Sequence, residues 1–204
     1  MTAPRPRTRI QRKNIGAILE AALEVFSQYG FRGATLDQIA QASGLSKPNL
    51  LYYFPSKEAI HAALLSQLLD TWLDPLRALD PEGDPREELL GYVRRKLEMS
   101  RDFPRESRLF ANEILQGAPR IMDVIEGELK PLVDEKAAVI RGWSAAGKIA
   151  DVHPYHLIFS IWALTQHYAD FDVQVRAVLG EEGEDPFPEA ERYLDMLFSK
   201  LLAV

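Results

Sequence analysis

Residues 35–54, TLDQIAQASGLSKPNLLYYF, leave little freedom in how they fold. Thr35 is a helix N-cap, and Gln38 three residues later completes a capping box, in which each side chain satisfies the other's backbone N–H. Leu36, Ile39 and Ala40 then fall on one face. Ser43-Gly44 closes this short helix. Ser46 caps a second helix whose first turn admits Pro48, because the N–H that proline lacks is not needed there. Pro55-Ser56 breaks the chain again. Ser56 caps a long helix expected to run to about Asp74, ahead of Pro75. Helix, glycine turn, helix is the layout of a helix-turn-helix, whose second helix enters the major groove of DNA. Ile39, Ala40, Leu45, Leu50 and Leu51 are placed to lock the pair together and against a preceding helix.

That preceding helix is marked by Ile15, Ile18, Leu19, Ala22, Leu23 and Phe26, apolar at three- and four-residue steps, and it ends at Gly30. Beyond the motif, helices are expected over 86–102, 104–116, 119–127 with a continuation near 130–146, 154–179 and 187–203. Pro104, Gly117-Ala118-Pro119, Gly147, Pro154 and the loop 180–188 punctuate them. No segment alternates with period two, so the fold class is all-α. The expected organisation is a basic arm over 1–13, a three-helix helix-turn-helix head over 14–56 and a larger helical body over 57–204.

Composition narrows the function. The 204 residues contain no Cys, which removes disulfides, thiolate metal sites and a cysteine nucleophile, and fits a cytoplasmic home. No apolar run reaches the ~18–20 residues of a membrane span. The net charge of −6 is uneven: residues 1–60 carry +4 and the remainder −10. A basic head on an acidic body points to a polyanion for the head alone. The four His and the scattered acids form no catalytic constellation, so neither an enzyme nor a cofactor is expected. HPYH at 153–156, with Asp151, is only a weak metal pattern.

Within the motif, Lys47, Asn49 and Tyr52 point away from the apolar residues. Lysine donates to guanine edges and asparagine pairs with adenine. Ser46 and Pro48 share the same short helix. Thr35, Tyr53 and Lys57 sit at helix starts and turns, where hydroxyls, free N–H groups and a cation suit phosphates. GFRGATLDQIAQASGLSKPNLLYYFPSKEAI closely resembles the head of TetR-type repressors. The resemblance implies an all-helical homodimer with an N-terminal DNA-binding head, a variable effector-binding body and a palindromic operator.

The body also resembles one subgroup of that family, the pyrimidine-utilisation regulators that respond to uracil and thymine. The similar strings are KLEMSRDFPRESRLF, QGAP, DEKAAVIRGW, HPYHLIF and IWALTQHYADFDVQV. Such a ligand is flat and neutral, with N–H donors and carbonyl acceptors. It needs aromatic walls and a few convergent polar groups. Trp162, Gln166 and Asp170 supply them, four residues apart on one helix face. The Gln166 amide offers donor and acceptor together, and Asp170 accepts from a ring N–H. By resemblance Trp72 is a further wall, with Ser107 and Phe110 as additional candidates. Another heterocycle or an amphipathic ligand remains open. Pro48, Asp172 and the short acidic 180–188 loop depart from the subgroup's pattern. His167 and Phe171 are expected to turn toward a partner subunit. Val173, Val178, Tyr193, Leu197, Phe198 and Leu201 are expected on a four-helix dimer bundle, and Trp143 in the core.

Overall fold

The computed structural model describes residues 8–180 and 185–204, and among them it is helical without a strand. The first helix, α1 (Arg9–Gly33), starts five residues before Asn14. Thr8 and Gln11 form a capping box that the apolar pattern does not reveal. Arg9, Arg12 and Lys13 are therefore helical and do not belong to an arm; residues 1–7, and 181–184 of the acidic loop, lie outside the described residues. Regular geometry ends at Gly30, whose φ of 66° suits glycine.

Helices α2 (Leu36–Ser43) and α3 (Lys47–Tyr53) follow with the expected caps: Thr35 with Gln38, Gly44 at φ 69°, and Ser46 ahead of Pro48. Ile39, Ala40 and Leu50 are buried with Ile18, Leu19, Ala22 and Phe26 of α1. Leu51 is exposed, contrary to expectation. Successive helical residues are about 100° apart, so seating Leu50 in the core turns Leu51 outward.

The long helix α4 (Lys57–Arg77), capped by Ser56, passes through Pro75 and does not stop at Asp74. The proline removes one helical hydrogen bond. Fully buried Leu76 and the bond from Ala78 N–H to the Asp74 carbonyl hold the last turn, so packing overrides the breaker. Helices α5 (Pro85–Asp102) and α6 (Pro104–Leu115) fall where the sequence places them. The next run starts later, at α7 (Met122–Val124), after a turn at Gly117-Ala118. It continues without a gap through a π-helical turn (Ile125–Leu129) into α8 (Lys130–Ala145). The expected 154–179 helix is broken at Phe171 into α9 (Pro154–Asp170) and α10 (Asp172–Leu179). The chain ends with α11 (Phe187–Leu201).

Two apolar clusters organise these helices. One joins α1–α3 to the first half of α4 and reaches Leu109, Ala118 and Ile121. The other is built by α5, α8, α9 and α11 around Val93, Ile140, Ile158 and Trp143. Phe198 lies in this second cluster, 1% exposed, and not on a dimer face. The opposite side of α11 carries the polar-flanked Tyr193 and Leu201, which face solvent with Val173 and Val178 of α10, while Leu197 packs partly against the core. Among the described residues no helix is long and apolar enough to cross a membrane.

Candidate functional site

On the head, α3 presents Lys47, Pro48, Asn49 and Tyr52 to solvent, next to its exposed cap Ser46. Lys47 pairs with Asp37 of α2 at 2.9 Å. Both side chains are exposed, so the pair is worth about 0–1 kcal/mol and holds Lys47 only weakly. Thr35 caps α2 at the surface. The Tyr53 hydroxyl accepts from Asn14 Nδ2 at 2.9 Å, which ties the end of α3 to α1. Asn14 was not singled out from sequence because nothing local marks a partner 39 residues away.

Lys57 is engaged within the head. Its Nζ donates to the carbonyls of Phe31 and Ala34, both at 2.7 Å, and lies 4.6 Å from the Phe31 ring centroid. The turn between α1 and α2 thus holds this cation at the start of α4. Lys57→Met should therefore lower the stability of the free protein by about 2 kcal/mol, the scale of losing charged hydrogen bonds. Urea unfolding checks this; an unchanged midpoint would mean that the two carbonyl bonds contribute nothing.

In the body, a cavity of about 700 Å³ lies between α4, α5, α6, the π-helical turn and α9. It unites all six residues expected around a ligand: Trp72, Ser107, Phe110, Trp162, Gln166 and Asp170. Trp162 Nε1 donates to the buried Tyr92 hydroxyl at 2.7 Å, so the indole N–H is already engaged. Burial pushes the Tyr92 phenol well above its ordinary range, keeping it neutral. Ser107 Oγ donates to Asp170 Oδ1 at 2.5 Å. Burial pushes the Asp170 carboxyl upward, against that hydrogen bond and the charges of Arg108, Lys96 and His167. The Gln166 amide makes no hydrogen bond among the described residues.

Phe171 lines the cavity and is half exposed, stacked on His167 with ring centroids 5.1 Å apart. Lys96, Arg108 and Asn112 are lining residues that sequence reasoning missed. Arg108 donates to the Ala169 carbonyl at 3.0 Å and so braces the end of α9 beside Asp170.

Residues 18–64 match the family described as bacterial regulatory proteins, tetR family, and residues 65–203 match the YcdC-like protein, C-terminal region. The chain belongs to the TetR family. It is a DNA-binding transcriptional regulator and not an enzyme. The HTH-type transcriptional regulator RutR of Escherichia coli strain K12 is 58% identical over 164 residues, spanning 80% of this chain and 77% of that protein. Two solved TetR-fold structures show the fold. A putative transcriptional regulator, SCO4942 from Streptomyces coelicolor, superposes with a TM-score of 0.71 at 24% identity, over 92% of this chain and 97% of that one. AibR, in complex with isovaleryl coenzyme A and operator DNA, gives 0.69 at 20% identity, over 93% and 98%.

Proposed function

We propose that this TetR-family protein represses genes of pyrimidine metabolism and is released from its operator by uracil or thymine. The observation that supports this most is the single cavity gathering Trp72, Phe110 and Trp162 as aromatic walls around Gln166, Asp170 and Ser107. The walls suit a flat ring, and the polar groups match its alternating donors and acceptors. The 58% identity to RutR adds support for the regulator subgroup.

In this reading residues 14–56 bind DNA and residues 57–204 bind effector and dimerise. Lys47 and Asn49 read base edges, while Thr35, Ser46, Pro48, Tyr52 and Tyr53 fit the backbone. Lys57 contributes by holding the head's first turn in place. The exposed apolar side chains of α10 and α11 form the homodimer contact, which sets the spacing of the two heads on a palindromic site. Ligand acts by favouring the dimer whose spacing does not fit DNA.

Operator duplexes selected from random sequence test the reading. Saturating uracil should weaken operator binding by about 5–150-fold, the usual range of coupling between sites. Gln166→Ala should retain operator binding yet need a higher uracil concentration for release, by about 1–3 kcal/mol of lost ligand affinity. Unchanged operator affinity at saturating uracil would sink the release mechanism. A second reading follows from the cavity's size, since about 700 Å³ is the range of drug-sized ligands and exceeds what one six-membered ring fills. A larger heterocycle or an amphipathic ligand would then release the operator where uracil and thymine do not.

A further inference from the structure

Lys96, on α5, is buried in the cavity wall at 3% exposure. Its ammonium lies 4.3 Å from the Trp72 ring centroid, and no oxygen accepts a hydrogen bond from it among the described residues. Lys136, similarly buried, shows the ordinary solution: its Nζ donates to the Leu79 carbonyl and pairs with Glu135. Burying an amine without an acceptor costs free energy, and a ligand carbonyl that enters the cavity would recover part of it. The groups facing Lys96 are few. Leu69, Trp72 and Leu73 of α4 carry no charge, α6 offers Ser107 and Arg108, and α9 offers Asp170. Asp170 favours the charge on Lys96, yet the two form no ion pair. Its Oδ1 is engaged by Ser107, and its second oxygen receives no donor from the described residues.

We infer that Lys96 and Asp170 together read one edge of the ligand: Lys96 donates to a ring carbonyl oxygen, and the second Asp170 oxygen accepts from the adjacent ring N–H. This rests on the pyrimidine reading above and makes Lys96 its specificity-determining residue. An apolar molecule of the same shape would leave both groups unpaired and is rejected. Binding also moves a proton. Burial holds the Lys96 pKa down to about 7, with Asp170 opposing. A carbonyl acceptor favours the charged amine, so binding in mildly alkaline solution takes up part of a proton.

The test is calorimetry of the full chain with uracil and thymine at about pH 8, in two buffers of different ionisation heat. Wild-type protein should take up a fraction of a proton on binding. Lys96→Met should take up none and bind about tenfold or more weakly, a loss of the size expected when a buried acceptor goes unpaired. Unliganded Lys96→Met should also melt higher than wild type, because burial opposes the proton that this amine carries in the unfolded chain. Lys96→Gln, which keeps a donor without the charge, should bind with intermediate affinity and no proton uptake. Wild-type affinity in Lys96→Met would overturn the role of Lys96 and leave the pyrimidine reading standing. Wild-type binding without proton uptake would overturn the carbonyl contact, whether or not either variant folds. Failure of the wild type to bind uracil or thymine would overturn the pyrimidine reading and this inference with it.

Discussion

Glu113→Ala is expected to lower folding stability by about 3–5 kcal/mol, the usual consequence of removing one partner of a buried ion pair. Glu113 stands on α6 with its side chain 1% exposed. One carboxylate oxygen accepts from the Arg120 backbone N–H at 2.8 Å and the other from the Arg120 guanidinium at 2.7 Å. The truncation strands both donors and opens a void. The guanidinium also sits 3.7 Å from the Phe31 ring centroid, so the loss loosens the seat of the head on the body. Urea unfolding followed by helical signal measures the effect. Glu113→Gln, which keeps one acceptor but no charge, should fall between wild type and alanine. A loss below about 1 kcal/mol in the alanine variant would show that Arg120 finds another partner, and would remove this pair from the account of stability.

Acidification should weaken the fold between about pH 6.5 and 4, by about 3 kcal/mol from one residue. His61 on α4 is 2% exposed, wedged edge-on between the rings of Phe26 and Phe31 with both centroids 4.8 Å away. Burial drives its pKa from the ordinary 6.5 down to about 4, and Glu113 only partly offsets this. Its Nδ1 lies 3.9 Å from a Glu113 oxygen, beyond hydrogen-bonding reach, and has no other partner among the described residues. The native ring therefore stays neutral to about pH 4, whereas the unfolded chain protonates near pH 6.5. Between those values the unfolded state binds more protons, so stability falls with pH and the full penalty is present below about 4. Carboxylates add their own slope lower in this range. His61→Phe isolates the imidazole, since it keeps the ring contacts and loses the proton site. Its stability should be flatter than wild type over pH 6.5–4; an identical slope would assign the acid sensitivity to other groups.

The head was legible in the sequence because its information is local. Each cap and glycine turn sits within three residues of the group it serves, as with Thr35 and Gln38 or Ser46 and Asn49. The cavity's α9 wall was legible for the same reason, as a column at four-residue spacing. Lys96 was not. It follows Arg94 and Arg95 in the run RRK, and those two reach Asp195 and Glu98 at the surface. Nothing in three consecutive cations tells which one the fold buries. The approach of His61 to Glu113 spans 52 residues and leaves no spacing to read. The break at Phe171 and the π-helical turn at 125–129 carry no proline or glycine signal strong enough to predict them. Pro75 errs the other way, a clear breaker that buried Leu76 overrules.

Helix α4 has a mechanical consequence. It is one 21-residue rod with Lys57 at the head's turn and Trp72 in the cavity wall. Fifteen residues, or roughly 22 Å of axis, lie between the two. The hydrogen bond missing at Pro75 leaves the rod least stiff in the turn that carries Trp72. With the fulcrum there, the head rides on the long arm. A tilt of roughly 5° displaces the Lys57 end by about 2 Å, as simple leverage over that length. In the two-fold dimer proposed above the displacement would be doubled, so a movement smaller than a water molecule at the cavity would become a change of several ångströms in the separation of the two α3 helices.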